Sequence, residues 1–261
     1  MDYETIDCTS EDGVGRIVFD RPDAHNAINE TMGEELPDAA QRLASDDDVR
    51  CIAVTANGAT FNTGADLTML SGGGSDEPII RSVANGLHEF VSQLVHAPKP
   101  VVTGVNGVAA GGGLGPSVCG DIVLAGESAR FEFAYPRIGL CGDGGSTYLL
   151  PRLVGLRQAQ EIAFRDEPIG PSEATEMGLV TEVVDDENLE DRIDEEASRL
   201  AAGPTRGYAE TKRLLTKSLD TPLDTQLADE ASSIARLTGT EDFARGHAAF
   251  GGDEPPEFTG E

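Results

Sequence analysis

One aspartate in a glycine-rich segment, Asp143, has the residue type and the setting of a proton-transfer group. It lies in Gly142-Asp143-Gly144-Gly145, after a strand-like run and before a helical pattern. Small neighbours leave its carboxylate open to a bound molecule, and a carboxylate held beside a substrate can act as a general acid or base. The alternative is that Asp143 caps the helix that follows, because aspartate is a favoured N-cap residue.

Two other turns rich in glycine and small residues lie upstream of Asp143. The first covers residues 58–67 and contains Gly64-Ala65-Asp66-Leu67, and the second covers residues 109–115 and contains Gly111-Gly112-Gly113. Small residues let a ligand approach the main chain, and a helix N-terminus leaves N–H groups without intrahelical partners. Two such N–H groups directed at one point would form an oxyanion hole for a thioester carbonyl.

Together these segments resemble the crotonase, or enoyl-CoA hydratase/isomerase, superfamily. The resemblance runs from Arg21-Pro22-Asp23-Ala24-His25-Asn26-Ala27-Ile28-Asn29 to Glu257-Phe258-Thr259-Gly260. It implies that the N–H groups of Ala65 and Gly112 form the oxyanion hole and that Asp143 is the acid/base. It also implies an acyl-CoA pocket formed by Ala24, Thr63, Gly64, Asp66, Leu67, Gly111, Leu114, Tyr135 and Leu140. The coenzyme A is part of the substrate, so we expect no separate cofactor and no metal.

Two departures from the family pattern decide which chemistry is expected. Family hydratases use two glutamates to activate and deliver water, and their positions here are Gly115 and Arg137. Neither residue can act as a general base, so addition of water by two carboxylates is not expected. We therefore predict an isomerase that works with Asp143 alone. The alternatives are a hydratase-type lyase and a catalytically silent crotonase-fold protein that serves as a binding module.

Within the family, residues 138–154 look most like the 1,2-epoxyphenylacetyl-CoA isomerase branch. A second branch, the aromatic dehalogenases, carries a helper histidine at the position of His88 and an indole at the position of Tyr135. The phenol of Tyr135 is a poor copy of that indole, which weakens the dehalogenase interpretation. His88 is either such a helper histidine, as the resemblance implies, or a half-exposed residue of a helix.

The charge of the chain is strongly acidic. It has 47 acidic and 19 basic residues, a formal net charge of −28, and its three lysines are Lys99, Lys212 and Lys217. Such a surface repels itself at low salt, and molar salt shortens the Debye length to about 3 Å. We therefore expect a halophilic protein, and we expect it to bind neither nucleic acid nor anionic membranes.

The four cysteines show no metal-binding or disulfide spacing, and Cys51 and Cys119 are expected in the core. No apolar run is long enough for a transmembrane span and no signal-peptide pattern is present, so we predict a cytoplasmic protein.

Alternation of strands and helices predicts an α/β fold in the first half of the chain, and helices dominate after residue 155. The family resemblance makes this a crotonase-type spiral of ββα units over residues 1–200. It makes residues 201–261 a helical C-terminal region used in a homotrimer or a dimer of trimers. We also expect Pro37 to kink or restart its helix, a flexible loop at residues 71–76, and a poorly ordered tail from Gly251.

Overall fold

The computed structural model describes residues 3–252 and 255–261. Its strands are β1 (Ile6–Glu11), β2 (Val14–Phe19), β3 (Cys51–Ala56), β4 (Thr60–Asn62), β5 (Val101–Val105), β6 (Val108–Ala110), β7 (Ile122–Gly126), β8 (Arg130–Glu132) and β9 (Glu182–Val184). Its α-helices are α1 (Glu30–Ser45), α2 (Glu77–His96), α3 (Leu114–Val118), α4 (Ser146–Leu153), α5 (Gly155–Arg165), α6 (Pro171–Met177), α7 (Leu189–Ala201), α8 (Thr205–Ser218), α9 (Leu223–Leu237) and α10 (Glu241–Ala249).

The strands form two sheets, and successive strands along the chain alternate between them from β3 onward. The larger sheet has the order β1-β2-β3-β5-β7-β9, in which only the β1–β2 pair is antiparallel, and the smaller sheet is the parallel set β4-β6-β8. The first unit, β1-β2-α1, has both strands in the large sheet, and each of the next three places one strand in the large sheet, the next strand in the small sheet, and then a helix. This confirms the predicted crotonase-type α/β fold of ββα units.

Helices cover both faces of the large sheet, which explains why its central strands are apolar along their whole length. Every side chain of β5 is buried, and so are the first four of β3. One core contains α1, α2 and the aromatic pair Phe19–Phe61, whose ring centroids are 5.2 Å apart. A second, smaller core packs α7 against β3, β5 and β7. Cys51 and Cys119 are buried as predicted.

Two of the sequence expectations about single elements are corrected in part: helix α1 does not restart at Pro37, and residues 258–260 of the tail are held by hydrogen bonds. Helix α1 contains Pro37 but continues unbroken from Glu30 to Ser45. It packs along its length against α2, and the contact is so close that a Cβ on Gly86 would lie 1.8 Å from the Gly33 carbonyl oxygen. That packing outweighs the hydrogen bond lost at proline.

The second correction concerns the end of the C-terminal tail. The amides of Thr259 and Gly260 donate to the buried carboxylate of Asp242 in α10, and Arg50 donates to the carbonyl of Phe258. These bonds hold the tail against the helical region, although Asp253 and Glu254 lie outside the described residues. Within the part of the chain that is described, no helix is both long and apolar enough to cross a membrane.

Candidate active site

The three segments singled out in the sequence follow the three strands of the small sheet. The turn at residues 63–67 follows β4, the turn at 111–113 follows β6, and the segment from Tyr135 to Asp143 follows β8. Because β4, β6 and β8 are parallel neighbours, their carboxyl ends lie at one edge of the sheet, where ligands commonly bind in such folds. The topology thereby brings together residues that are about eighty positions apart.

A cavity of about 570 Å³ opens at this edge, between the three turns and helix α2. Eight of the twelve site residues expected from the sequence line it: Thr63, Ala65, Leu67, Gly111, Gly112, Tyr135, Leu140 and Asp143. The remaining lining residues include His88, Arg137 and an apolar strip of α2 formed by Ile80, Val83, Ala84 and Leu87.

The four other expected site residues lie outside the cavity lining. Ala24 is the last residue of the short 3-10 helix Pro22–Ala24. The next residue, His25, accepts a hydrogen bond at its carbonyl from the Thr63 hydroxyl, which joins this helix to the first turn. Leu114 is buried in the core beneath the second turn. Gly64 forms the contact between the two turns, and Asp66 has a structural hydrogen-bonding role.

The carboxylate of Asp66 is bound by other protein groups. It accepts hydrogen bonds from the Thr68 amide and hydroxyl and pairs with Arg21 at 3.0 Å. The Thr68 hydroxyl is the largest cause of its lowered pKa, and Arg21 adds to the effect. Asp66 is therefore an anion that caps the short 3-10 helix Leu67–Met69 and fixes the first turn.

The two candidate oxyanion-hole amides lie on neighbouring turns. Gly64 has a positive φ of 79°, and a Cβ there would lie 2.5 Å from the Gly112 nitrogen. A Cβ on Gly112 would in turn lie 3.8 Å from the Ala65 nitrogen, so the turns touch where both residues face the cavity. Within residues 3–252 and 255–261, neither the Ala65 amide nor the Gly112 amide donates to another protein group. Both N–H groups are thus free for a ligand.

Asp143 does not cap helix α4. That helix begins at Ser146, its N-cap position is Gly145, and no side chain caps it. The main-chain carbonyl of Asp143 accepts from the Ser146 amide at 3.0 Å and from its hydroxyl at 2.7 Å, which fixes the turn. The carboxylate points instead to the cavity, where its Oδ1 contacts Nε2 of His88. Of the two interpretations offered by the sequence, the geometry favours a functional carboxylate.

His88 reaches Asp143 from helix α2. Its side chain is half exposed, and it continues the cavity-lining strip one residue after Leu87. The family resemblance offered His88 as a helper histidine, but a spacing of fifty-five residues gives no sign of its contact with Asp143. The periodicity of α2 was the available signal, because residues 80, 83, 84, 87 and 88 share one helix face.

Gly115 lies at the position where family hydratases carry their first glutamate, and the main chain of Gly144 fills the space beside it. A Cβ on Gly115 would lie 1.6 Å from the carbonyl oxygen of Gly144 and 2.6 Å from its carbonyl carbon. Gly144 itself has a positive φ of 58° and packs against the second turn, where a Cβ added to Gly144 would lie 2.7 Å from the Gly112 carbonyl oxygen. The segment that carries Asp143 therefore fills the space that a side chain at residue 115 would need.

Arg137, at the position of the second glutamate, is held by ion pairs. The Arg137 guanidinium pairs with Glu132 and with Asp166, whose Oδ2 is 2.7 Å from the arginine Nε. The hydrogen bond to Asp166 is the main cause of the raised pKa of Arg137, followed by the bond to Glu132. Arg137 is therefore a fixed cation at the cavity wall.

Tyr135 supplies a buried phenol beside these groups. Burial, followed by the charge of Asp143, raises its pKa, so the hydroxyl keeps its proton. Its ring stacks edge-on with Phe133 at a centroid distance of 5.0 Å. Tyr135 thus forms an apolar wall behind Asp143 rather than a second ionised group.

The loop at residues 71–76, which borders the cavity region, is more ordered by contacts than expected. Asp76 accepts hydrogen bonds from the Ser71 hydroxyl and from the amides of Ser71, Gly72 and Gly73. The Ser71 hydroxyl is the largest cause of the shift that lowers the pKa of Asp76 from 3.8 to about 2. The expectation of a flexible loop overlooked this carboxylate.

The chain is similar to known proteins over nearly its whole length. The enoyl-CoA hydratase/isomerase family model matches residues 9–261. A Rhodobacter capsulatus protein named a probable enoyl-CoA hydratase is 38% identical over all of both chains. The 1,2-epoxyphenylacetyl-CoA isomerase of Escherichia coli is 36% identical over 96% of both chains.

Solved structures show the same fold. The crystal structure of an enoyl-CoA hydratase/isomerase from Cupriavidus metallidurans has a TM-score of 0.89 and 32% identity, covering 100% of this chain and 98% of that one. The chain belongs to the enoyl-CoA hydratase/isomerase family.

Proposed function

We propose that this family member is an acyl-CoA thioester isomerase that works with one carboxylate. Its substrate would be an enoyl-CoA ester whose double bond shifts, or an acyl-CoA that carries a ring epoxide. The amides of Ala65 and Gly112 would bind the thioester oxygen, and Asp143 would move the proton. No resident cofactor is needed for this chemistry, because the coenzyme A belongs to the substrate.

The proposed reaction passes through an enolate. Asp143 removes a proton α or γ to the thioester carbonyl, and the electron pair of the broken C–H bond moves towards the thioester oxygen. The two amides stabilise the resulting charge, and each such donor is worth about 3–4 kcal/mol in comparable sites. Return of a proton at another carbon completes the shift of the double bond.

The observation that carries this proposal is the close packing of Gly144 on Gly115. A hydratase of the two-glutamate type needs a side chain at residue 115, and here the Gly144 carbonyl lies 1.6 Å from the position of its Cβ. The same segment presents Asp143 to the cavity. The packing therefore supports a site in which the carboxylate of residue 143 replaces the one that a hydratase carries at residue 115, so that one carboxylate faces the cavity instead of two.

The hydratase alternative rests on the name of the Rhodobacter relative. It predicts that crotonyl-CoA is hydrated at a rate comparable to any isomerisation. The alternative of a silent binding module predicts neither reaction. A panel of 2-enoyl-CoA and 3-enoyl-CoA esters, assayed in molar salt for both water addition and double-bond shift, separates the three functions.

The variant Asp143→Asn tests the role of the carboxylate. We expect loss of isomerisation by more than about a hundredfold, equal to about 2.7 kcal/mol of transition-state stabilisation, with little change in CoA-ester affinity. Glu89→Gln is a matched control, because Glu89 is an exposed carboxylate beside His88 in α2 and lies outside the cavity lining. Retention of a tenth of the rate in Asp143→Asn would place the acid/base elsewhere.

We also propose assembly into a homotrimer or a dimer of trimers through the C-terminal helices. Large apolar side chains of α8 and α9 are exposed in the single chain, among them Leu215, Leu223 and Ile234. Exposed apolar surface of this kind is typical of an interface.

A further inference from the structure

One residue that lines the cavity, Ala134, has an unfavourable backbone conformation. Its φ is 62°, in the left-handed region. A residue with a Cβ prefers the right-handed region by about five- to thirtyfold in population, whereas glycine adopts both regions readily. Ala134 follows β8 and begins the cavity wall that continues with Tyr135, Arg137 and Ile138. Because strained residues persist only where surrounding contacts hold them, some group must hold Ala134.

Asp166, which directly follows the last residue of α5, makes that contact. Its Oδ1 accepts a hydrogen bond from the Ala134 amide at 2.7 Å, and its Oδ2 accepts from Nε of Arg137 at 2.7 Å. A second nitrogen of Arg137 donates to the same Oδ1 at 3.2 Å and to the Asp166 carbonyl oxygen at 3.3 Å. One carboxylate therefore holds the wall at two points, the main chain of Ala134 and the side chain of Arg137.

Glu132 completes this cluster of charges from strand β8. It is 4% exposed and pairs with both Arg137 and Arg130, while the side chain of Asp166 is 10% exposed. Two carboxylates and two guanidinium groups are present, so the formal charges cancel. Hydrogen bonds between charged groups are strong, and they strengthen further where the surroundings exclude water. The cluster is therefore able to hold Ala134 in its strained conformation.

The wall that begins at Ala134 is continuous with the segment that carries Asp143. The amide of Leu140 donates to the carbonyl of Tyr135 at 3.1 Å, and both residues line the cavity, as does Ile138 between them. A change in the backbone at Ala134 would therefore move the surface against which an acyl group packs.

We propose that Asp166 is a positioning residue for the acyl group, because it holds Ala134 in the left-handed conformation and thereby sets the shape of this wall. The inference rests on the proposed function, since it requires that the cavity bind an acyl-CoA ester. Asp166 itself lies outside the cavity lining and acts through Ala134. Its own φ of 52° is also left-handed, so a test variant must tolerate that conformation at residue 166.

The variants Asp166→Gly and Asp166→Asn form a matched pair. Glycine and asparagine both adopt the left-handed region at the end of a helix, so the end of α5 is kept in both. Asparagine retains an oxygen that can accept from the Ala134 amide, whereas glycine removes it. Asp12→Gly is the control, because Asp12 has a φ of 48° but is exposed in the turn between β1 and β2, outside the cavity lining.

The ratio of the affinities for butanoyl-CoA and for free CoA measures acyl binding without turnover, because this saturated ester has no double bond to shift. Titration calorimetry in molar salt gives both affinities. We expect Asp166→Gly to lower the ratio by about fivefold or more, since Ala134 then prefers the right-handed region and the binding-competent fraction falls. Asp166→Asn and Asp12→Gly should stay within about twofold of the wild type.

Rescue by Ala134→Gly separates positioning from a merely structural role. Glycine at residue 134 has little preference between the two regions, so about half of the molecules would keep the left-handed conformation without the hydrogen bond. Adding Ala134→Gly to Asp166→Gly should therefore restore the affinity ratio to within about twofold of the wild type. The melting temperature should stay lowered, because the ion pair between Asp166 and Arg137 is still missing.

Two results would overturn the proposal: an unchanged affinity ratio in Asp166→Gly, and a lowered ratio that Ala134→Gly does not restore. If Asp166→Gly does not fold, folding and acyl binding by the double variant would support the proposal, and failure of both to fold would contradict it. Isomerisation of a 3-enoyl-CoA ester is measured in parallel. A wild type that binds butanoyl-CoA but isomerises no ester would refute the proposed function, while the affinity ratios would still decide the role of Asp166.

Discussion

Replacing Gly115 with alanine tests whether the packing of two turns sets the position of Asp143. A Cβ at residue 115 would lie 1.6 Å from the Gly144 carbonyl oxygen, and real Cβ atoms essentially never approach a heavy atom within 3.0 Å. The Gly144 carbonyl must therefore retreat by at least about 1.4 Å. Because Asp143 is the preceding residue, its carboxylate moves with that segment.

Both stability and rate should fall. Inserting one methyl group into a well-packed site usually costs about 1–3 kcal/mol of unfolding free energy. Misplacing a catalytic group by about 1 Å can cost on the order of a hundredfold in rate, which corresponds to about 2.7 kcal/mol. We therefore expect Gly115→Ala to lower isomerisation per folded molecule by about that factor. We also expect it to lower the melting temperature.

Steady-state isomerisation and thermal unfolding measure the two effects in the same salt. Gly74→Ala is the control, because a Cβ at Gly74 meets no heavy atom within 4 Å and its φ lies outside the left-handed region. A Gly115→Ala protein that isomerises at the wild-type rate would show that the position of Asp143 does not depend on this packing. Gly115→Glu should not create a hydratase, since its side chain has no space beside Gly144.

Two other outcomes are expected. Because the pKa of Asp76 is lowered from 3.8 to about 2, its contribution to loop stability is complete above pH 3.8 and is lost as the pH falls through about 2. The protection of the Gly72 and Gly73 amides against hydrogen exchange, relative to the intrinsic exchange rate, should decrease over that range, and unchanged protection would refute the role of Asp76. The net charge of −28 should make assembly depend on salt, because salt screens the repulsion between acidic surfaces. Sedimentation should therefore show trimers or hexamers in molar salt that dissociate and lose activity in dilute buffer. An active monomer at low salt would contradict both halophily and the trimer.

Much of the fold follows from local properties of the chain. Apolar runs such as residues 51–56 and 101–105 predict buried parallel strands, because both faces of those strands must be covered. The glycines of the two turns and Asp143 also stand out in the sequence, although the sequence alone left a helix cap as the alternative role of Asp143. The resemblance to a known superfamily supplied the spiral order of the strands, which no local pattern contains.

The contacts that decide the chemistry depend on distant segments and required the tertiary structure. His88 meets Asp143 because α2 crosses the carboxyl edge of the small sheet, and no local pattern records that crossing. The sequence shows that residue 115 is glycine, but only the fold shows that the Gly144 carbonyl occupies the space beside it. The family resemblance placed Asp66 in the substrate pocket, yet Thr68 and Arg21 bind its carboxylate and the residue lies outside the cavity lining. Sequence determines which groups are available, whereas packing between segments determines which of them face the cavity.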